Sequence, residues 1–355
     1  MSKIKVLVVD DSATIRMLLS KGLNLDPELE VVGTAPDPYV ARNKIVELSP
    51  DVITLDVEMP RMDGIEFLRR LMAAYPLPVV MVSALTEKGK RITLEALDAG
   101  AFDFVHKPSG SHGAQGLQDM LTDLRQKIKS AARANLTTLR KSLNRVTAPI
   151  ARPLAPVRPT ALAETTDKVV AIGASTGGTT AIRDMISMLP ADFPGTVLVQ
   201  HITPGFTTMF AERLNEIGTV QVKEAQHGDR IITGRVLVAP SGHQMTVRRS
   251  GGFYYVDCVP GPPICGHIPS VEALFQSVAK QVGANALGVI LTGMGGDGAD
   301  GMAAMRKAGA RTLGQDEASC VVFGMPKVAW EKGGVEKLLP LEEIVPNLLR
   351  LLRAG

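Results

Sequence analysis

Short runs of aliphatic and β-branched residues recur along the first hundred residues, each followed by a stretch with helical spacing. Ile4–Val9, Val31–Ala35, Asp51–Asp56, Pro78–Ser83 and Ala101–Val105 read as strands. Their nearly continuous apolar character is that of strands buried on both faces of a parallel sheet. Ser12–Leu23, Tyr39–Leu48, Ile65–Met72 and Gly89–Ala99 read as the helices between them. Five strands alternating with helices predict a doubly wound five-stranded parallel domain over residues 1–122.

The pattern changes over residues 123–164. From Leu124 to Ala163 there are nine basic residues, Arg125 to Arg158, and no acidic one. The stretch to about Leu143 keeps helical spacing and extends the last helix of the first domain. Prolines at 149, 153, 156 and 159 then predict an extended, semi-rigid spacer. A solvated tether and a surface docking to an acidic partner are both open for this linker. It holds no recognition helix and almost no aromatic residues, which argues against nucleic-acid binding.

From residue 165 to 355 a second α/β domain is predicted. Val169–Ala174, Thr196–Gln200 and Ala286–Leu291 read as buried parallel strands; Thr179–Met188, Phe206–Leu214, Ser270–Lys280 and Gly301–Ala308 read as helices. Val220–Glu224, Ile231–Val238, Gln244–Arg248 and Phe253–Asp257 are short and alternate in polarity, which suggests antiparallel hairpins beside a doubly wound sheet.

Composition narrows the class without naming a chemistry. A chain of 355 residues with 45% hydrophobic content suits about two domains with sizeable cores. Met1-Ser2-Lys3 leads straight into a strand, so no signal peptide is expected, and no apolar run approaches the ~18 residues that span a bilayer. Three cysteines without metal spacing suit reduced thiols, and a net charge of +3 does not call for a polyanionic partner. A cytoplasmic protein with no membrane insertion is expected.

The candidate chemistry collects at strand ends. In a doubly wound sheet, ligands sit at the carboxyl edge, where the first domain places Asp10, Asp11, Asp56, Ser83 and Lys107. Three carboxylates at one edge repel unless a cation sits between them, and hard oxygen ligands suit Mg²⁺. Asp56 can act as a nucleophile toward phosphorus, with Lys107 and Ser83 on the phosphoryl oxygens. Asp10 or Asp11 capping the next helix is the plainer alternative. The runs Asp10-Asp11-Ser12, Leu55-Asp56-Val57-Glu58-Met59-Pro60-Arg61-Met62-Asp63-Gly64, Ser83-Ala84 and Lys107-Pro108 resemble the receiver domain of two-component response regulators. That resemblance implies phosphorylation of Asp56 by a histidine kinase, here the chemotaxis kinase CheA. It implies Mg²⁺ held by Asp11, Asp56 and the backbone carbonyl of Glu58, with Asp10 completing the acidic pocket. Phe104 matches that family's switching aromatic.

In the second half, Gly173-Ala174-Ser175-Thr176-Gly177 follows a buried strand with the Gly-x-Ser-x-Gly spacing of a nucleophile elbow. Glycine-rich strand-to-helix turns also cradle phosphates, so the motif needs partners. His201 ends the next strand, at the same edge of the sheet; His106, His112, His227, His243 and His267 do not end buried strands of that half. Thr292-Gly293-Met294-Gly295-Gly296-Asp297-Gly298 follows a third buried strand. Asp297 can cap the next helix or orient His201, and the backbone around Met294 can donate to an oxyanion.

Ile172–Gly178, Gln200–Phe206, Pro269–Phe275 and Leu291–Gly298 resemble the catalytic domain of the chemotaxis protein-glutamate methylesterases, the CheB family. The resemblance implies hydrolysis of glutamate γ-methyl esters, and deamidation of glutamines, on methyl-accepting chemoreceptors. Ser175 is then nucleophile, His201 base and Asp297 acid, with Met294 and Thr176 in support and no cofactor at this site. A protein substrate implies a shallow groove, lined by Phe206 and Met209. A phospho-regulated receiver with a non-catalytic binding output, and an esterase for small molecules, are the competing expectations.

Overall fold

The structure, a computed structural model, describes residues 2–59, 62–84, 92, 95–107, 113–135, 168–202 and 205–353. The chain divides into two compact units, Met1–Ala148 and Pro149–Gly355. The proline-rich spacer, residues 136–143 of the expected helix extension, and residues 89–91 and 93–94 of the expected helix Gly89–Ala99 lie outside the described residues.

In the first unit, β1 (Ile4–Val9), α1 (Ala13–Asn24), β2 (Leu29–Ala35), α2 (Pro38–Leu48), β3 (Val52–Asp56), α3 (Gly64–Ala74), β4 (Val79–Ala84), β5 (Asp103–Lys107) and α4 (Gly113–Ala132) follow in order. The strands form one parallel sheet in the order β2-β1-β3-β4-β5. Val6, Leu7, Val8, Val52, Ile53 and Leu55 are wholly buried, each worth roughly 1.5–3 kcal/mol on removal from water. Ser12, Asp37 and Asp63 cap α1, α2 and α3 by accepting N–H bonds from the first turn. The capping residue of α1 is therefore Ser12, and Asp10 and Asp11 are left for other work.

Part of the basic stretch belongs to this unit's own fold. Lys127, on α4, contacts Asp103 and Asp123, each at 3.2 Å, and donates to the carbonyl of Phe104 at 2.6 Å. Lys129 contacts Asp26 and Glu28 at 2.9 and 2.6 Å. These cations fasten α4 to the sheet and to the α1–β2 loop.

The second unit runs β6 (Val169–Ala174), α5 (Gly178–Ile186), β7 (Gly195–Gln200), α6 (Thr207–Ile217), β8 (Gln221–Glu224), β9 (Arg235–Val238), β10 (Gln244–Ser250), β11 (Phe253–Val259), α7 (Val271–Gln281), β12 (Ala286–Ile290), α8 (Ala299–Lys307), β13 (Arg311–Gln315), α9 (Met325–Glu331), β14 (Lys337–Leu339) and α10 (Leu341–Arg353). Seven strands pair in the order β14-β13-β12-β6-β7-β9-β8, every pair parallel. Among the strands of the described residues, β10 and β11 are the pair that runs antiparallel. The expected hairpins at 220–238 are thus corrected: β8 and β9 extend the parallel sheet. Alternating polarity marks a half-buried strand but does not give the direction of its partner, and residues 225–234 carry the chain back to start β9 alongside β8.

This strand order fixes where a site can form. The chain builds from β6 outward through β7, then returns to place β12 on the other side of β6. The crevice beyond the carboxyl ends of β6 and β12 is therefore the point where the winding reverses, the usual ligand position in such sheets. Helix α7 closes over it, packing fully buried Val271, Leu274 and Phe275 into the core with Val197, Val199, Met302 and Met325. Gly173 and Gly298 both abut Val271, so side chains at either would displace the helix. No helix of the described residues is long and apolar enough to cross a membrane.

Candidate active site

In the first unit, β1, β3 and β5 deliver Asp10, Asp56 and Lys107 to one point. Lys107 Nζ lies 2.8 Å from Asp10 Oδ2 and 2.7 Å from Asp56 Oδ2. Asp56 Oδ1 accepts from the Val57 N–H at 2.8 Å, and Asp10 Oδ1 from the Ser12 N–H at 2.9 Å. Asp10 and Asp56 are buried, Asp11 is exposed, and ligand atoms of the three lie within 4.8 Å of one another. Burial pushes the Asp56 carboxyl up to about 6, with Asp10 adding to the rise and Lys107 opposing it. Burial works to lower the Lys107 ammonium, but its two carboxylate partners outweigh that and raise it. Ser83 is buried beside them, on β4, paired in register with His106. Glu58 is exposed just past β3. Gly64 presses against the carbonyl of Asp56, so α3 can begin only where no side chain intervenes. An acidic pocket of hard oxygen donors facing one ammonium is the result, and its donor set fits Mg²⁺.

In the second unit, the register pairs Ala174 with Gln200, so the next residues, Ser175 and His201, leave adjacent strands side by side. The His201 N–H donates to the Ala174 carbonyl at 3.1 Å, and the Ser175 N–H to the Thr292 carbonyl at 3.0 Å. Gly293 backs directly onto the serine: a Cβ there would lie 2.7 Å from Ser175 Cβ. Gly177, at φ 77°, turns the chain into α5, as only glycine does readily. Thr292 Oγ1 bonds the Thr176 carbonyl at 3.0 Å and accepts from the Val322 N–H at 3.0 Å, tying the elbow to the loop before α9.

His201 and Asp297 meet directly, Nε2 to Oδ2 at 2.7 Å. A carboxylate only accepts, so Nε2 carries the proton and Nδ1 of the neutral ring holds the lone pair. Nδ1 is buried and makes no hydrogen bond. Asp297 is 4% exposed and saturated with donors. Its Oδ1 accepts from Ser270 Oγ (2.8 Å) and the Glu272 N–H (3.0 Å), and its Oδ2 from the Val271 N–H (2.8 Å) as well as from His201. Burial pushes the carboxyl up, but the bonds from His201, Ser270 and Glu272 outweigh it and hold Asp297 below its ordinary value. The sequence offered capping of the following helix as an alternative role. Asp297 instead helps cap the preceding one, α7, while Gly298 precedes α8 with no side-chain bond.

Three features escape the sequence reading. Gln200, 3% exposed, donates from Nε2 to the carbonyls of both Ser175 (2.8 Å) and His201 (3.0 Å), so one amide links the two turns. It stands next to His201 in the chain, but nothing local says that its side chain turns back across β6. His267 stacks on His201. Phe206, expected to line a groove, is wholly buried; it precedes α6 and packs inward, leaving half-buried Met209 as the remaining member of that pair. Met294 is 36% exposed on the turn beyond Gly293, and Thr176 is buried beside Ser175. A serine with small neighbours, an imidazole lone pair at an adjacent strand end and an acid fixing that imidazole suit proton transfer from a hydroxyl.

The CheB methylesterase family model matches residues 170–348, and the response regulator receiver domain model matches residues 6–120. A protein-glutamate methylesterase/protein-glutamine glutaminase of Syntrophotalea carbinolica is 62% identical over 350 residues, covering 99% of this chain and 98% of its own. One from Shigella flexneri is 49% identical over 357 residues, covering 100% of this chain and 99% of its own. The crystal structure of the Thermotoga maritima CheB methylesterase catalytic domain is 35% identical and covers 52% of this chain and 98% of that one, with a TM-score of 0.51. A parallel sheet with its serine and histidine at the winding reversal, preceded by an acidic receiver pocket, agrees with those matches along the whole chain: it belongs to the CheB methylesterase family and carries a response regulator receiver domain in front of the methylesterase domain.

Proposed function

We infer that this chain is a receiver-controlled serine hydrolase that demethylates glutamate γ-methyl esters and deamidates glutamines on methyl-accepting chemoreceptors. The observation that carries the reading is the Asp297-held imidazole of His201 at the strand end next to Ser175. Ser175 Oγ attacks the side-chain carbonyl carbon while His201 Nδ1 takes the hydroxyl proton. Asp297 stabilises the imidazolium that forms. The oxygen of the tetrahedral intermediate is held by backbone N–H from the Met294 turn, with Thr176 beside the nucleophile. His201 returns the proton to the departing methoxide, releasing methanol, or to the amide nitrogen of glutamine, releasing ammonia. Water, deprotonated by the same imidazole, then attacks the Ser175 ester carbonyl; His201 returns that proton to the departing Ser175 Oγ, leaving a glutamate carboxylate and the free serine. The Ser175 site calls on no metal in this scheme.

Regulation resides in the receiver. Asp56 accepts a phosphoryl group from a histidine kinase, the chemotaxis kinase CheA, and Ser83 and Lys107 contact the phosphoryl oxygens. Mg²⁺ bound by Asp10, Asp11, Asp56 and the Glu58 carbonyl would neutralise charge on the phosphoryl group. In this reading residues 1–122 are the receiver, 123–164 the linker and 165–355 the catalytic domain, all working in the cytoplasm. Methanol release from a methylated chemoreceptor fragment tests the reaction, with a soluble methyl ester run alongside. Release from the receptor that disappears in Ser175→Ala supports the reading. Hydrolysis of the soluble ester alone would instead indicate a small-molecule esterase.

A further inference from the structure

The imidazole of His267 lies flat against that of His201, with ring centroids 3.7 Å apart and planes inclined by 15°. The backbone around His267 is built to keep it there. Ile264 and His267 exchange both backbone hydrogen bonds, at 3.1 and 3.0 Å. Cys265 and Gly266 between them take φ of 51° and 82°, the two positive-φ positions of a tight hairpin turn. The His267 carbonyl accepts from Gln244 Nε2 at 3.1 Å, and Gln244 Oε1 accepts from the Ser270 N–H at 2.9 Å. Gln244 is itself buried. The turn is therefore anchored to the start of α7, the same helix start that fixes Asp297.

These two anchors constrain His201 differently. The bond to Asp297 sets the direction in which Nε2 points, but a single hydrogen bond leaves the ring plane free to tilt. A second ring lying parallel at contact distance removes that tilt, since stacked rings lose contact when either rotates. The constraint matters for the opposite nitrogen. Nδ1 makes no hydrogen bond in the resting site, so nothing else on that side of the ring aims its lone pair.

We propose that His267 is a positioning residue for the hydrolase reaction: its ring is the flat wall that holds the His201 imidazole in the plane where Nδ1 meets the Ser175 hydroxyl. The proposal rests on the reading of Ser175 and His201 as nucleophile and base. Phenylalanine preserves a flat aromatic face with no titrating nitrogen, whereas alanine removes the face.

The test compares full-length wild type, His267→Ala, His267→Phe and Ser175→Ala on a methylated chemoreceptor fragment with acetyl phosphate and Mg²⁺. His267→Ala should lower kcat on the order of 10- to 100-fold with little change in KM, and His267→Phe should restore most of that loss. The downfield proton resonance of the His201–Asp297 bond should be sharp in wild type and His267→Phe, and broadened in His267→Ala. Wild-type kcat in His267→Ala overturns the positioning role, as does an equal loss in both variants at an unchanged melting temperature. Hydrolysis that persists in Ser175→Ala overturns the nucleophile reading itself, and this proposal with it.

Discussion

His201 turns Nε2, not Nδ1, toward Asp297, at 2.7 Å. In chymotrypsin-type triads the acid bonds Nδ1 and the base is Nε2, so the proposed mechanism uses the ring the other way round. Nδ1 is the nitrogen nearer the backbone, and the His201 backbone is the part bonded to Ala174, next to Ser175. The neutral ring should be the Nε2–H tautomer. Nitrogen-15 NMR of the histidine-labelled resting enzyme should show Nε2 protonated and Nδ1 bare for this residue; the opposite pattern would remove Nδ1 as the base.

Asp297 works for the imidazole and for α7 together, and its variants should separate the two tasks. Asp297→Asn keeps the shape but loses the carboxylate that stabilises an imidazolium, so kcat should fall on the order of 10³- to 10⁴-fold. Asp297→Ala also strips acceptors from Ser270 and from the first N–H groups of α7, and should lower stability by about 1–3 kcal/mol. Steady-state kinetics and thermal melts of both variants check this.

The same carboxylate gives stability a pH dependence of known sign. Its folded value is held below the ordinary 3.8, so its contribution is fully present above that value. It is lost as pH falls through the lower folded value. Acid titration of wild type and Asp297→Asn, followed by circular dichroism, should show a stability difference that holds at neutral pH and shrinks below about pH 3.8.

Gln200 should matter more than its distance from any reacting atom suggests. In Gln200→Glu an oxygen replaces the amide nitrogen that bridges the carbonyls of Ser175 and His201. Acceptors then face acceptors in a buried place, which costs about 1–3 kcal/mol and loosens both turns. Lower kcat together with a lower melting temperature is expected, and a variant with unchanged kcat would count against the clamp.

The residues that strand periodicity could place were the ones legible in the sequence. Asp10, Asp56, Ser175 and His201 each follow or end a buried apolar run, so the strand pattern alone puts them at a ligand-bearing edge. Lys107 and Asp297 were legible as candidate partners too, but the contacts that hold Asp297 in place were hidden by distance along the chain. Asp297 meets Val271 across 26 residues, through a turn and a helix whose docking depends on glycines at 173 and 298. His267 sits on a turn, and no period in the sequence aims a turn residue. Alternation at 220–238 marked β8 and β9 as strands but not their parallel pairing, because pairing direction is decided by the route of the connecting chain. Phe206 was expected to line a groove, but an aromatic at a loop-to-helix junction can pack either way, and here it is wholly buried.

In the proposed mechanism, a phosphoryl group on Asp56 governs hydrolysis at Ser175. The deciding measurement is methanol release from a methylated chemoreceptor fragment, followed with and without acetyl phosphate and Mg²⁺ in wild type and in Asp56→Asn. Release should rise with the phosphodonor in wild type and stay at the basal rate in Asp56→Asn. Equal rates with and without phosphodonor in wild type, with incorporation of phosphate on Asp56 demonstrated, would contradict it.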